Sequence, residues 1–269
     1  MKPAPFRYCA PASVGEAVAL KAEHGSDAVF LAGGQSLVPM LNLRLVRPAL
    51  VIDLNRIAGL SEIAEGPEGL TVGAMTRHHA LERSDLAFRI CPLLREVLGH
   101  VAHRVIRNRG TIAGSLANAH PASELPAALL ALGGAVIARS PAGSRRIEAD
   151  DLFLYPFSTS LGADELVTEV IFPALPAGTG YGFAEFTRRH SDFALAGVAA
   201  VVRDGSARLA LAGVGPRPIL VDRPEPADIA AAAEPGDDIH ADAEYRRELV
   251  VALAVKALGL ARSRAEAAR

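Results

Sequence analysis

A glycine-bearing connection that occurs twice constrains the fold of this 269-residue chain more than any other feature. The first loop, AGGQS (Ala32 to Ser36), follows the apolar run AVFL and precedes LVPMLNLRL, so a strand is expected to lead into a short helix there. The second loop, TIAGS (Thr111 to Ser115), repeats the chemistry, with small residues, one glycine and a hydroxyl at each end. Because glycine permits close approach to the backbone, the pair predicts two loops that receive a ligand.

Three kinds of ligand-binding loop place glycines after a strand. A phosphate-gripping P-loop needs a lysine after its last glycine, and the first loop has none. A Rossmann fingerprint needs three spaced glycines, a full crossover helix and an acid about 20 residues on. Asp53 lies near that offset, but the third glycine is missing and Pro39 shortens the helix. The third kind receives an anion on backbone N–H groups and a hydroxyl at a helix N-terminus. Two such loops predict a pyrophosphate gripped from two sides.

Composition limits the partners and the compartment. The formal net charge of −2 gives no electrostatic footprint for nucleic acid. The start, MKPAPFRYCAPASV, lacks the apolar region of a secretory signal, and the longest apolar stretch, PAALLALGGAVIA, is too short to span a bilayer. We therefore expect a soluble, cytoplasmic protein. Arg107 and Arg109 precede the second loop, either as additional ligand contacts or as solvated surface charges.

The size of the chain and its cysteines set further limits. With 50% hydrophobic residues, the chain can bury one large core or two modest ones, so two domains are expected. The two cysteines, Cys9 and Cys91, lie in unrelated contexts and cannot by themselves ligate an iron–sulfur cluster. Burial as small apolar residues is expected for both.

Hydrophobic periodicity and turn residues predict the order of the elements. Strands are predicted at FRYCAP, AVFLA, ALVIDL and ELVTEVIF, and hairpins at SEIAEGPEGLTVGAM and VAAVVRDGSARLALAGV. Helices are predicted after Ser13, Thr76 and Pro92, from Ser123 to the pair Gly133-Gly134, and over the spaced residues Tyr245, Leu249, Leu253, Lys256 and Leu260. PALPAGTG is the predicted boundary between domains 1–176 and 177–269. The prediction is an α+β fold whose second domain is a small sheet followed by helices.

Four segments give a more specific indication because they occur in one order. They are AGGQSLVPMLNLRLVRPALVIDLN, GLTVGAMTRHHALE, IRNRGTIAGSLANAHPASELPAALLALGG and FTRRHSDFALAGVAA. Together they resemble the FAD-binding medium subunit of the molybdenum hydroxylases, the family of aerobic carbon monoxide dehydrogenase and xanthine dehydrogenase. YRRELVVALAVKAL is similar to that family's C-terminal domain, so the resemblance covers nearly the whole chain. It implies a p-cresol methylhydroxylase-like domain of two α+β subdomains with FAD between them, then a small α+β flavoprotein C-terminal domain.

The resemblance also implies which residues contact FAD. The matches to the two pyrophosphate loops and their edges are Ala32, Gly33, Gly34, Gln35, Ser36, Leu37, Thr111, Ile112, Ala113, Gly114 and Ser115. Glu124 falls where the family has an acid near the ribityl chain, whose hydroxyls can donate to a carboxylate. Its other interpretation is a first-turn acid that interacts with the helix dipole. Asn118 lies in the ribityl-contacting segment, and Val167 and Arg188 match positions near the flavin.

Three positions depart from the family pattern. Ala113 stands where the family usually has a second glycine, and its methyl group must be accommodated. Asn118 and His120 replace a more usual histidine and aspartate. FAD binding is still expected, with altered contacts to the ribityl chain.

No motif indicates a substrate site or a metal site in this chain. His78 and His79 are neighbours, which point about 100° apart on a helix and cannot chelate one metal; both are expected at the surface. Arg188 to His190, with Asp192, suggests acid–base chemistry, but in the resembled family this segment passes near the flavin or a subunit interface. No nucleophile elbow or Ser/His/Asp order is present. We predict no catalytic residue and no metal ligand.

Three functions remain open. The first, implied by the resemblance, is an electron-transfer oxidoreductase subunit that binds FAD noncovalently. Its electrons would come from 2Fe-2S clusters on a small partner subunit, with molybdopterin on a large partner subunit, in a dimer of heterotrimers. The second is a stand-alone FAD-dependent oxidoreductase, and the third is a non-catalytic assembly protein that has lost the flavin. The organic substrate and the electron acceptor (NAD, a quinone or oxygen) also remain open.

Overall fold

The first sheet of the computed structural model, which describes residues 1–268, is parallel and three-stranded in the order β1-β3-β2. The elements of this first subdomain are β1 Arg7–Cys9, α1 Val14–His24, β2 Ala28–Leu31, α2 Leu37–Asn42 and β3 Leu50–Asp53. The predicted cap of α1 is confirmed, because Ser13 Oγ accepts from Glu16 N–H at 3.2 Å and Gly25 ends the helix. The first loop joins β2 to α2.

The second subdomain contains a five-stranded antiparallel sheet in the order β4-β5-β10-β6-β7. Its elements are β4 Ile63–Gly66, β5 Gly69–Gly73, α3 His78–Leu81, α4 Asp85–Ile90, α5 Leu93–His100, α6 Arg104–Arg107, α7 Ile112–Asn118, α8 Glu124–Leu132, β6 Ala135–Ser140, β7 Gly143–Glu148, α9 Ala149–Leu152, β8 Phe153–Tyr155, β9 Ser158–Thr159 and β10 Leu166–Pro173. Because α8 is apolar on nearly every face, it lies inside the core, and all its residues from Glu124 to Ala131 are buried.

The C-terminal part contains a four-stranded antiparallel sheet followed by two helices, as predicted. Its elements are β11 Gly180–Phe186, β12 Ala196–Arg203, β13 Ser206–Ala212, β14 Ile219–Val221, α10 Pro226–Ala232 and α11 Ala243–Ala267. The predicted turn between β12 and β13 is confirmed. Asp204 and Gly205 have φ angles of 50° and 80°, the left-handed pair that a type I′ hairpin turn requires.

This C-terminal sheet packs on both faces. Val198 and Ala200 on β12 belong to the core formed with α11, whereas Ala199 between them belongs to the core that contains α8. The alternation follows from the two-residue period of a strand. The two domains therefore share buried surface, and the segment 174–179 between β10 and β11 connects parts that pack together. The division at 176 remains a prediction.

Helix α11 forms at the predicted place but buries a different face from the spaced residues that predicted it. Among those five residues Leu253 is buried, whereas Tyr245 and Leu260 are 44% and 36% exposed. The buried face is rich in alanine because β11 lies very close. A Cβ atom built on Gly180 would lie 1.7 Å from the carbonyl oxygen of Ala261, so large side chains do not fit between strand and helix.

Several short elements differ from the prediction made from the sequence. The strands β6 and β7 and the helices α4, α6 and α9 were not predicted, because elements of four to six residues show too few periods. Helix α3 begins after Arg77 rather than at Thr76. The second loop is largely the first turn of α7, with Thr111 as its N-cap. Within residues 1–268, no helix combines the length and the apolar character needed to cross a membrane.

Candidate cofactor site

A cleft of about 1070 Å³ is lined by both subdomains and by part of the C-terminal domain. This volume lies slightly above the range of about 300–1,000 Å³ that is usual for small-molecule and cofactor sites. The residues predicted to contact FAD that line it are Ala32, Gly33, Gly34, Gln35, Ser36, Leu37, Thr111, Ala113, Gly114, Ser115, Asn118, Glu124 and Val167. The structure therefore brings the two loops to one site.

The first loop presents unused backbone donors to the cleft. Gly34 has a φ angle of +77°, which favours glycine and turns the chain from β2 into α2. The N–H groups of Gly34, Gln35, Ser36 and Leu37 have no hydrogen-bond acceptor within residues 1–268. Consecutive N–H groups on a concave backbone bind anions. A pyrophosphate therefore fits the first loop.

The second loop uses its backbone donors inside the chain. Thr111 caps α7 by accepting from the N–H of Gly114 on its Oγ1 at 3.2 Å, and the N–H groups of residues 112–115 all have acceptors in the protein. The hydroxyl of Ser115 lines the cleft, 3.2 Å from the hydroxyl of Ser123. The second loop thus offers a hydroxyl and small residues to a ligand, whereas the first loop offers N–H groups.

The two loops touch each other through their backbones. A Cβ atom at Gly33 would lie 2.4 Å from the carbonyl oxygen of Arg109, so any larger residue would push the loops apart. Below them, Asn55 Nδ2 donates to the carbonyl of Ala32 at 3.0 Å. The Arg77 guanidinium donates both to Asn55 Oδ1 and to the carbonyl of Arg109. This bridge fixes the separation of the loops, and neither Asn55 nor Arg77 was singled out from the sequence.

Two predicted contact residues lie outside the cleft lining. Ile112 is fully buried in the core. Arg188 is exposed and its guanidinium donates to His240 Nδ1 at 2.6 Å.

Two further residues have structural roles: Arg107 Nε donates to the Glu82 carboxylate at 3.1 Å, and Asp53 accepts from the Tyr8 hydroxyl at 2.5 Å. The rejection of Asp53 as a ribose-binding acid is consistent with this position.

An aromatic group forms one wall of the cleft. The ring of His120 stacks on Phe193 with centroids 3.8 Å apart, and it meets Phe157 edge-on at 5.2 Å. All three side chains line the cleft. His120 Nδ1 accepts from the N–H of Ala122, and burial lowers the pKa of His120, so a neutral imidazole is favoured. Flat aromatic surfaces stack well on a planar ring system. The sequence did not indicate this group, because its members come from three separate segments.

The expectation that both neighbouring histidines lie at the surface is wrong for His78. Its side chain lies beneath the second loop with 5% exposure, and its Nε2 donates to the carbonyl of Thr111 at 3.0 Å. Burial lowers the pKa of His78 to about 4, so the ring is neutral at physiological pH. His79 has a side chain that is 28% exposed, beside Glu82. The two differ because neighbours on a helix point about 100° apart.

Glu124 is the one carboxyl group among the predicted contacts. It is the first residue of α8, is 5% exposed and lines the cleft. Burial, and then the nearby charge of Glu185, raise the pKa of Glu124 to about 8. Near neutral pH the side chain is therefore mainly an uncharged acid, which can donate as well as accept a hydrogen bond.

No group of three or more His, Cys, Asp or Glu side chains among residues 1–268 is arranged to hold a metal ion. Cys91 is buried as expected, but Cys9 is only half-buried. The loops thus offer hydroxyls, amides and N–H groups, and the cleft lining also includes the acids Asp27, Glu124, Glu165 and Asp192 and the cations Lys21 and Arg47. This set suits a phosphate-containing organic cofactor, and the residues fit FAD.

Comparisons of the sequence and of the structure with known proteins lead to the same family. Residues 4–175 match the family described as FAD binding domain in molybdopterin dehydrogenase. The chain is 40% identical to the 6-hydroxypseudooxynicotine dehydrogenase complex subunit alpha of Paenarthrobacter nicotinovorans, with 98% of this chain and 97% of that protein covered. It is 36% identical to a chain of carbon monoxide dehydrogenase from Hydrogenophaga pseudoflava, in a structure that lacks the Mo-pyranopterin moiety, with a TM-score of 0.95 over 98% of this chain and 99% of that one. Quinoline 2-oxidoreductase from Pseudomonas putida 86 gives 35% identity and a TM-score of 0.89, with 100% and 99% covered.

Proposed function

Because this chain belongs to the family of FAD-binding medium subunits of molybdenum hydroxylases, we propose that it carries electrons between a partner subunit and an external acceptor through FAD held noncovalently in the cleft. The observation that carries the proposal is the pair of loops that meet there. Unused N–H groups of Gly34 to Leu37 lie on one side, and the Ser115 hydroxyl lies on the other. Together they supply donors for a pyrophosphate without a cationic side chain.

The remaining lining residues give the cofactor its orientation. The aromatic group of His120, Phe157 and Phe193 provides a flat surface for the ring system, and Glu124 and Asn118 provide polar groups for the ribityl chain. When bound, FAD supplies a carrier that takes electrons singly and passes them on singly or in pairs. The protein's own part is to bind, orient and shield this carrier.

The names of the relatives support a proposal about the partners. These carry names such as carbon monoxide dehydrogenase medium chain and dehydrogenase complex subunit alpha. We propose a small subunit with 2Fe-2S clusters as electron source and a large molybdopterin subunit behind it, assembled as a dimer of heterotrimers in the cytoplasm. The organic substrate would then bind on the large subunit, which is why no substrate site is assigned to this chain.

Acid denaturation tests the noncovalent binding of FAD. The purified full-length chain, loaded with FAD and freed of excess, should release all its yellow colour into the supernatant. His120 lies in the cleft and histidine is a common point of covalent flavin attachment, so the pellet is the informative fraction. Colour that stays with the polypeptide would contradict noncovalent binding, and a chain that never takes up FAD would contradict the function itself.

Metal analysis of the native assembly tests the partners. A tagged chain purified from its own source should carry molybdenum and iron with FAD, whereas the same chain produced alone should carry FAD without either metal. If the chain is instead a stand-alone oxidoreductase, the protein purified from its own source should contain neither molybdenum nor iron. In that case the alternative function would replace the one proposed.

A further inference from the structure

The aromatic group of His120, Phe157 and Phe193 is built from segments that are far apart in the sequence. His120 lies in the connection between α7 and α8, and Phe193 in the connection between β11 and β12. Their rings stack with centroids 3.8 Å apart and planes within 7° of parallel. Phe193 is 60% exposed, so burial of its ring does not fix its place. The backbone that carries Phe193 must therefore set its position.

The backbone that follows Phe193 lies against the end of β13. Gly213, directly after β13, has a φ angle of +75°, and a Cβ atom there would lie 2.8 Å from the carbonyl oxygen of Ala194. Glycine permits this close approach. The N–H of Gly213 donates to the carbonyl of Pro121 at 3.0 Å, next to His120. Gly213 thus contacts the backbone of both segments whose rings stack.

A single buried guanidinium fastens this junction from behind. Arg246 of α11 is 6% exposed, and its Nη1 donates to the carbonyl of Leu195 at 2.9 Å and to that of Gly213 at 3.5 Å. Strands β12 and β13 pair as far as Gly197 and Ala212, so the guanidinium bridges the two chains just beyond their last residue pair. A planar guanidinium can serve several acceptors in fixed directions at once.

Asp238 orients the guanidinium from its other side. Its Oδ2 accepts from Arg246 Nη2 at 2.5 Å. Its Oδ1 accepts from the N–H groups of His240 and Ala241, at 2.7 and 3.0 Å. The turn before α11 therefore fixes Asp238, and Asp238 fixes Arg246. Neither of these two side chains lines the cleft, so any effect that they have on a ligand there is exerted through the segments that they hold.

We propose that Arg246, oriented by Asp238, is a positioning residue for the FAD site: it holds Phe193 in stacking contact with His120 and so keeps the aromatic group in place for the ring system. This inference rests on the proposed function for its ligand. The C-terminal helix thereby contributes to cofactor binding without touching the cofactor.

A fluorescent reporter tests the positioning in the apoprotein. The sequence contains no tryptophan, so Phe193→Trp introduces a single indole into the aromatic group, and time-resolved anisotropy of the full-length chain measures its nanosecond motion. Arg246→Lys keeps the charge but loses the fork that serves several acceptors, so it should increase the rapidly decaying part of the anisotropy by about twofold or more. Arg247→Lys, at the exposed neighbouring position of α11, is the matched control and should leave the anisotropy unchanged.

A double-mutant cycle on FAD affinity connects the aromatic group with the cofactor. Flavin fluorescence titration should show that Arg246→Lys weakens binding by about two- to tenfold, the range that a lost aromatic stacking contact gives. In a Phe193→Ala background the same substitution should have almost no further effect, because the ring that Arg246 positions is already absent. A purely structural role for Arg246 would lower the affinity equally in both backgrounds.

An unchanged indole anisotropy in Arg246→Lys, or equal losses of FAD affinity in the two backgrounds, would overturn the proposal. If Arg246→Lys does not fold, Asp238→Asn decides, because it removes the charge that orients the guanidinium and keeps an oxygen for the turn. It should also increase the motion of the indole, and no change would refute the proposal. If the wild type binds no FAD, the proposed function fails, while the anisotropy of the apoprotein still decides whether Arg246 holds the aromatic group.

Discussion

At the scale of single residues, Gly114 and Ser115 are neighbours in the second loop but are held by different constraints. A Cβ atom at Gly114 would meet Thr111 Oγ1 at 2.5 Å, so a substitution there disturbs the cap of α7 as well as any ligand. Ser115 instead lines the cleft and contacts the Ser123 hydroxyl at 3.2 Å. Ser115 is therefore the better position for separating cofactor binding from folding.

We predict that Ser115→Ala weakens FAD binding by about tenfold or more, because a hydrogen bond to a charged group contributes about 1.5–3 kcal/mol. Stability of the apoprotein should change little, since alanine favours the helix that Ser115 occupies. Flavin fluorescence titration gives the affinity and thermal unfolding gives the stability. Ser263→Ala, at an exposed position of α11, is the matched control and should bind FAD normally. Equal affinity in both variants would remove Ser115 from the site.

His78 makes the unfolding free energy depend on pH. Its pKa is lowered from 6.5 to about 4 by burial, so the unfolded chain binds a proton on this ring more readily than the folded chain. The stability associated with the neutral ring is fully present above about pH 6.5 and is lost as pH falls towards 4. The loss should amount to about 3 kcal/mol over this window. In His78→Gln, which keeps a donor for Thr111, the apoprotein should lose less stability on acidification.

Chemical unfolding of the apoprotein at several pH values between about 4 and 7 measures this difference. His79→Gln is the natural control, because His79 is the adjacent residue with a side chain that is 28% exposed. It should keep the wild-type dependence on pH. Parallel curves for wild type and His78→Gln would show that the buried ring does not control acid stability.

The sequence singled out the residues of both loops, because small residues and glycine permit close approach to the backbone. It did not predict that His78 supports the second loop or that His120, Phe157 and Phe193 form a wall. These roles depend on which segments the fold brings together. No local pattern encodes that proximity.

At the scale of elements, the close packing of α11 on β11 depends on glycine. Gly180→Ala would place a methyl group 1.7 Å from the carbonyl oxygen of Ala261, and backbone atoms cannot move aside as a flexible side chain can. We expect a loss of about 1–3 kcal/mol or more in unfolding free energy, as for other overpacked cores. Gly259→Ala, on the same helix with no atom near its Cβ position, should instead stabilise by about 0.5–1 kcal/mol. Denaturant unfolding of both variants distinguishes packing from helix propensity, and equal effects would contradict the packing explanation.

Elements with strong local signals were predicted well, and short ones were not. Helix α8 runs between a predicted start at Ser123 and a left-handed Gly133, and the β12–β13 hairpin turns at the predicted Asp204 and Gly205. The face of α11 was not predicted, because its buried alanines are selected by the closeness of Gly180 rather than by hydrophobicity. Tertiary contact decides such a face, and a helical period alone does not.

At the scale of the whole molecule, the C-terminal part packs against the rest of the chain and also lines the candidate cofactor site. Its sheet shares a buried core with α8, and its segment Ser191 to Phe193 lines the cleft. FAD should therefore contact three parts of the chain at once, which ties cofactor binding to the correct assembly of both domains.

The location of FAD is tested most directly by an experimental structure of the full-length chain with FAD bound. We predict one FAD in the cleft, with pyrophosphate oxygens within hydrogen-bonding distance of the N–H groups of Gly34 to Leu37 and of the Ser115 hydroxyl. The ring system should lie against the aromatic group of His120, Phe157 and Phe193. A pyrophosphate bound away from both loops, or a cleft that stays free of FAD at saturating concentration, would contradict the assignment of this site.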